Sequence, residues 1–573
     1  MNKEKESKQS KIINYIGLGL VAIAYIGAVL NMLKVKREEE WSGKKVIRIC
    51  HWQLEGGFRE GINYVIDEFE KLHPDCKVVQ LPMYDRAYAQ FINTQLIGGT
   101  APDIIELGFF AVEKSLGRYF YPLSEYVFEV NEFNADNEYA QTPWINTFKD
   151  GLRGNWDELN MDYFSVSLNF HTIRMYYNRN MVQKITGTDT LPTTYRGLLN
   201  VCRKIREYGR ETGEDIFPIA ASNYQISQLR DHYYQSLTTN YLVDIFENDF
   251  SYKQDGMDIY ISYLKNLWDM NDPELKAGEE ASKAFAPFYQ KGFMAMQRQE
   301  SLMSFIQQKS LIFSSGSWDV SSLIMQAKEA GFEIGILDLP NISPEDPEYG
   351  QYFDGVPSEA SGGISCNFGL CRFSKYPDIA MKFLRFATSK KINAEMNKII
   401  RWVPSIRNAE MLDVLKPFDP RMEGIPKGWR SKLALGTKTD LTESQSYWEY
   451  ISDKTSYEDY IGTVRKRFID DGIDDLSQHT IGYFQDLVPL DFSRSYFGLQ
   501  LALQDLDTVK AEEYSQKLSY VTESYGVKYI TAVDNVLRVL DVARLDNDRV
   551  KEMKNSYGYK TFIKEFVQSG QEQ

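Results

Sequence analysis

From residue 46 onward the chain alternates short apolar runs with amphipathic segments, and that alternation restricts it to an α/β architecture. The first unit is explicit. Val46-Ile47-Arg48-Ile49-Cys50 is predicted as a strand and Gln53-Leu54-Glu55-Gly56-Gly57 as a turn. Ile62, Val65, Ile66, Phe69 and Leu72 then recur at helical spacing up to a stop near His73-Pro74. Lys77-Val78-Val79-Gln80-Leu81 is the next strand and completes a βαβ unit. A helix over residues 88–97, a break at Gly98-Gly99 and the strand Asp103-Ile104-Ile105-Glu106-Leu107 begin a second unit. Further strands are predicted at residues 164–168, 174–177, 310–314, 332–337 and 364–373. Helices open at Leu191-Pro192-Thr193-Thr194-Tyr195 and after Pro377, a residue suited to a first helical turn. Residues 340–363, rich in Pro, Gly, Asp and Glu, form a long crossing loop. Beyond about Met411 the strand signal fades, and Ile530, Val533, Leu537 and Leu540 recur at helical spacing.

Ahead of this body lies residues 12–33, a stretch of 22 residues with no charged side chain. At about 1.5 Å per residue it spans roughly 33 Å, which matches a bilayer core of about 30 Å. It exceeds the roughly 7 to 15 apolar residues of a cleaved signal. We read it as a membrane anchor, with removal near Ala22-Ile23-Ala24 as the alternative. Lys3, Lys5, Lys8 and Lys11 precede it and Lys34, Lys36 and Arg37 follow, so charge leaves its orientation open.

The 573 residues carry 65 Lys plus Arg against 80 Asp plus Glu, a formal charge of −15, which argues against a nucleic-acid partner. Cys50, Cys76, Cys202, Cys366 and Cys371 match no disulfide framework and no metal template, and are expected as buried thiols. Cys50 lies too far past the apolar stretch to carry a lipid. The five histidines, His51, His73, His171, His232 and His479, are scattered, and the acidic run 470–475 lacks the calcium-loop pattern. Neither phosphate-loop nor dinucleotide glycine patterns occur, and G-x-S-x-G is absent. No metal and no cofactor is expected. The carboxylates remain. Glu55 follows the first strand and Glu106 lies near the end of another, positions that face one crevice in a parallel sheet. Two carboxylates there suit either a glycosidase or the binding of sugar hydroxyls, which carboxylates accept in hydrogen bonds.

Seven segments in order carry a family resemblance: Phe69-Glu70-Lys71-Leu72-His73-Pro74, Gly98-Gly99-Thr100-Ala101-Pro102-Asp103-Ile104-Ile105, Arg174-Met175-Tyr176-Tyr177-Asn178-Arg179, the Leu191 to Tyr195 helix start, Ser315-Gly316-Ser317-Trp318, the stretch from Ser374-Lys375-Tyr376-Pro377 through Phe386, and Arg401-Trp402-Val403-Pro404. Together, over about residues 46–410, they resemble the family 1 extracellular solute-binding proteins of ABC transporters, the class that includes maltose-binding protein.

The resemblance implies an α/β, two-lobed periplasmic-binding-protein fold of type II, here with an N-terminal transmembrane helix and a helical C-terminal extension. The expected organisation is 1–41 cytoplasmic stub and anchor or signal, 46–170 first lobe, 171–338 second lobe, 339–390 crossing loop and return to the first lobe, and 391–573 helical region, partly second lobe. It implies binding without catalysis: an extracytoplasmic protein, held at the cell membrane, that delivers a sugar or oligosaccharide to ABC permease subunits. A ligand-sensing receptor of the same fold coupled to a membrane sensor, and a carboxylate-dependent glycosidase, are the alternatives. Ligand-binding residues carried over by position are Trp52, Glu55, Glu106, Gly108, Phe109, His171, Thr172 and Trp318, with residues 223–231 expected to add polar contacts from the second lobe. For Trp318 and Trp52 the competing reading is core packing, and for His171 a satisfied structural histidine. Asp103 and Asn178 are expected to hold turns and strand ends. The chain departs from the family in lacking a lipid-attachment cysteine, in its length and in the long loop 340–363.

Overall fold

The computed structural model describes residues 41, 43–54, 56–108, 116–157, 160–246, 256–360, 363–425, 434–485 and 490–568. Twelve strands are present among them: β1 (Lys45–His51), β2 (Cys76–Pro82), β3 (Ile104–Leu107), β4 (Trp156–Asp157), β5 (Asp162–Tyr163), β6 (Val166–Phe170), β7 (Ile173–Asn178), β8 (Phe217–Ala220), β9 (Ser310–Gly316), β10 (Ile334–Leu337), β11 (Ile364–Leu370) and β12 (Val403–Pro404). They form two main sheets, ordered β12-β6-β11-β3-β1-β2 and β10-β7-β9-β8, with β4 and β5 as a separate hairpin. In the first sheet β1 runs parallel to β2 and β3, while β11 is antiparallel to both β3 and β6. In the second, β7 is antiparallel to β9 and β10, and β8 is parallel to β9.

Period-two alternation explains how the first sheet is covered on both faces. Ile47 and Ile49 of β1 enter one core with Phe58, Ile62, Val65 and Phe69 of the helix Phe58–Leu72. Cys50 points the other way, toward Tyr88, Ile92 and Leu96 of the helix Asp85–Gly98. The helices Pro377–Ala387 and Lys390–Ile400 share the first of these cores. Strand-end fixtures follow the side-chain chemistry. Asp103 accepts from Arg48 N at 2.8 Å and Ser374 Oγ at 2.6 Å, and Asn178 caps the helix Arg179–Thr186 by accepting from Met181 N at 3.0 Å.

The chain crosses between the lobes three times. His171 and Thr172 join β6 of one sheet to β7 of the other, residues 338–363 return from β10 to β11, and residues after β12 lead to the helix Thr437–Ile451. A core of Phe170, Tyr176, Phe313, Val320, Val403, Leu415 and Phe418 fills the junction.

The C-terminal region is helical: Thr437–Ile451, Tyr457–Gln485, Leu490–Gln504, Thr508–Val542, Asp548–Asn555 and Tyr557–Ile563. It has no separate core of its own among the described residues. Tyr447, Tyr450, Phe468, Val539 and Phe562 pack in the same cluster as Met175, Leu198, Leu229 and Ile312 of the second lobe. A charged group lies inside this seam. Arg230, on the helix Asn223–Phe246, donates to Glu279 at 2.8 and 2.5 Å and to Glu443 at 2.6 Å. Its guanidinium lies 3.7 Å from the Tyr447 ring centroid, and all three charged side chains are at most 5% exposed.

The stretch 12–33, expected to cross a membrane, lies outside the described residues. Among the described residues no helix is long and apolar enough to do so.

Candidate functional site

Trp318 stands where the two lobes meet. It follows Gly316 at the end of β9, and Ser317 N donates to Thr172 O at 3.0 Å, which fixes this turn against the β6–β7 crossing. Only glycine fits at 316, since a Cβ there would fall 2.1 Å from the Trp318 ring. The indole then meets His171 edge-on at 5.0 Å, and His171 meets Trp402 edge-on at 4.7 Å. Burial holds the His171 imidazole down to about 3, so it is neutral at physiological pH, with Nδ1 3.2 Å from Ser317 Oγ. All three rings are uncharged, and Trp402, 3% exposed, backs the other two from the first lobe's core. Trp318 is only partly buried and packs against the first lobe's core from the second lobe, so it spans the junction.

The turn after β1 supplies the first lobe's share. Glu106 on β3 is fully buried, and both its oxygens are engaged by this turn: Gln53 Nε2 donates at 2.7 Å and Trp52 N at 3.2 Å. The Trp52 ring lies on Gly108, where a Cβ would come within 2.2 Å of it, and meets Tyr88 edge-on at 5.0 Å. Tyr88 Oη donates to Glu106 O at 2.7 Å. Glu106 thus positions Trp52 and Gln53. Its neighbour Cys366 on β11 sits at φ 50°, and its thiol is pushed well above the ordinary range by burial and then by the Glu106 charge.

A second polar group lies on β6 and β11. Asn155 Nδ2 donates to Ser165 Oγ at 2.9 Å, and Ser167 Oγ lies 2.8 Å from Asn155 Oδ1 and 2.7 Å from Asn367 Oδ1. From the second lobe, Arg298 pairs with Asp319, Ser315 Oγ donates to Asp319 at 2.5 Å, and the guanidinium lies 5.6 Å from the Tyr224 ring and 5.9 Å from that of Trp318.

The predicted residues therefore divide. Trp52, Glu106 and Gly108 cluster at the end of β1 and β3, while His171 and Trp318 meet at the junction. Thr172 lies in the β6–β7 crossing, buried, with Oγ1 donating to Phe418 O at 2.8 Å. Glu55 and Phe109 lie outside the described residues. From residues 223–231, Tyr224 faces Arg298 while Arg230 is committed to the C-terminal seam. Trp402, Gln53, Asn155, Asn367 and Arg298 were not expected here. Only Trp402 carried a signal, since it sits inside a motif that marked its segment. All five cysteines are free and buried. Among the described residues no cluster of His, Cys, Asp and Glu could hold a metal ion.

Comparison with known proteins agrees with this architecture. The family model described as bacterial extracellular solute-binding protein matches residues 55–394. Among solved structures, the apo form of RafE from Streptococcus pneumoniae is 14% identical, with a TM-score of 0.52, over 74% of this chain and 97% of its own. A probable secreted solute-binding lipoprotein from Streptomyces coelicolor is 12% identical, also with a TM-score of 0.52, over 74% of this chain and 98% of its own. RafE in complex with raffinose is 14% identical at a TM-score of 0.48, over 73% and 97%. No curated protein sequence matches the chain.

Proposed function

Because the chain belongs to the family of bacterial extracellular solute-binding proteins, we propose that it captures a sugar or oligosaccharide between its two lobes and delivers it to an ABC importer. The observation that carries this reading is the partly exposed Trp318 ring at the junction, backed by the neutral His171 and the buried Trp402, with Ser317 Oγ 3.2 Å from His171 Nδ1. A sugar presents an apolar C–H face to a ring and a hydroxyl rim to polar groups. The binding is without chemistry. Glu106 has both oxygens committed and no exposed surface, and the His171 imidazole is held in its neutral form, so neither is poised as a general acid. Closure of the lobes about the three crossings would bury the solute and create the form that the permease recognises. Residues 12–33 would hold the protein at the membrane, with the described body on the extracytoplasmic side.

Two experiments test the proposal. A thermal-shift screen of residues 42–573 against mono- and oligosaccharides including raffinose, polyols and peptides should show stabilisation by a carbohydrate. A shift with peptides alone would remove the sugar assignment. With the stabilising sugar in hand, Trp318→Ala should weaken binding about tenfold or more by calorimetry, on the order of 1.4 kcal/mol. Unchanged affinity in a folded variant would place Trp318 in the core and out of the site.

A further inference from the structure

The helix Thr508–Val542 is rooted in one lobe and touches the other. Its C-terminal end belongs to the second lobe: Val539 and Val542 lie in that core, and Arg538 pairs with the buried Asp258. At 35 residues it is about 52 Å long. Further toward its start it pairs with Leu490–Gln504, where the Tyr514 ring lies so close to Gly498 that a Cβ there would meet it at 2.4 Å. The two helices form an arm. At the turn between them Leu506 and Val509 are 86% and 78% exposed, so neither lobe covers the tip. Yet the returning helix also contacts Leu116–Tyr119, a segment fixed to the first lobe. Tyr121 N donates to Leu370 O of β11 at 2.9 Å, Arg372 N donates to Tyr119 O at 2.8 Å, and Tyr119 and Phe120 pack beside Ile105 and Leu107.

We infer that this arm is a strap that sets the angle between the lobes and resists their rotation about the crossings. A contact away from the hinge must slide, bend or part when the lobes rotate. The strap carries a built-in weak point. Gly526 lies in the middle of the helix with nothing within 4 Å of a Cβ there, so packing does not require a glycine. A helix interior is weakened by glycine because the backbone is freer when unfolded. The geometry makes closure a contest between ligand contacts in the junction and the strap on its flank, and the arm changes its bearing on the first lobe whenever the lobes move.

The native thiols are all buried, so spin labels can be directed to introduced cysteines. Ile97→Cys in the first lobe and Met325→Cys in the second stand at positions 75% and 58% exposed. Electron–electron resonance on the full chain then reads the interlobe distance without ligand. Gly526→Pro, which interrupts the arm helix, should make the distance distribution roughly twofold broader than in the doubly labelled parent. Gly498→Leu, which forces the Tyr514 ring off the partner helix, should broaden it too. Gly526→Ala should leave it as narrow as the parent. A distribution identical to the parent's in either disrupting variant, with circular dichroism showing the lobes folded, overturns the inference.

Discussion

Replacing Arg230 by methionine is expected to lower the unfolding free energy by about 3–5 kcal/mol, the cost of leaving a buried charge without its partner. The site makes the loss severe. Glu279 and Glu443 both face this one guanidinium from separate helices, and Tyr460 Oη donates to Glu443 Oε1 at 3.1 Å. Without the arginine two carboxylates share an apolar seam, and they hold apart the surfaces that join the C-terminal helices to the second lobe. Denaturant midpoints with an unchanged slope would measure the effect. The reverse substitution tests the same physics. Glu443 Oε2 is buried and has no hydrogen-bond partner, so Glu443→Gln keeps the Oε1 contacts and removes a surplus charge. That variant should be as stable as the parent or more so. A large loss there would mean that the second charge is needed.

The same cluster sets a pH dependence. Burial raises the Glu279 carboxyl above its ordinary 4.5, with Arg230 opposing and Glu443 adding to the rise. The folded protein therefore binds more protons than the unfolded chain between the two values. This contribution to stability is complete below 4.5 and is lost as pH rises through the folded value. Glu443→Gln, which removes one cause of the rise, should flatten the fall of melting temperature as pH rises above 4.5.

Local features are legible in the sequence. The β1–helix–β2 unit and the roles of Asp103 and Asn178 follow from periodicity, capping chemistry and strand ends. Strand-end position alone, which set Glu106 facing a crevice, does not say that its oxygens are taken by Trp52 N and Gln53 Nε2. What escaped depends on distance along the chain. Periodicity marks Thr437–Ile451 as a helix, but nothing in it says that Glu443 meets Arg230, 213 positions away. Arg298 looks like any surface cation until the fold sets it beside Trp318 and Tyr224. Asn155 and Asn367 are 212 positions apart and read as loop and strand polarity, though they share one hydrogen-bonded group. The left-handed backbone at Cys366 carries no local cue, because neither glycine nor asparagine stands there.

Arg174→Met should be nearly as damaging as the loss of Arg230, for a reason tied to closure. Arg174 is 3% exposed and touches every crossing between the lobes. On β7 it donates to Ile173 O at 2.7 Å, beside the His171–Thr172 link. It donates to both oxygens of Glu359 in the 338–363 return, at 2.8 and 3.2 Å. It also donates to Pro417 O at 2.7 Å and Asp419 O at 3.3 Å in the third. Glu359 in turn accepts from Arg421 N at 2.8 Å, so removing the guanidinium loosens three segments at once. A loss of about 3 kcal/mol or more in unfolding free energy is expected. Lysine should rescue little of it, since a single ammonium cannot reproduce the planar fork that serves Glu359 and the carbonyls together. Glu359→Gln keeps acceptor and shape and should cost only about 1–2 kcal/mol. Lobe geometry separates this hinge from the strap: Arg174→Met should lower the unfolding midpoint and broaden the interlobe distance, whereas Gly498→Leu should broaden the distance with the midpoint of the lobes retained. Equal stability of Arg174→Met and the parent would show that the apolar junction of Phe170, Tyr176, Phe313 and Phe418 holds the crossings without it.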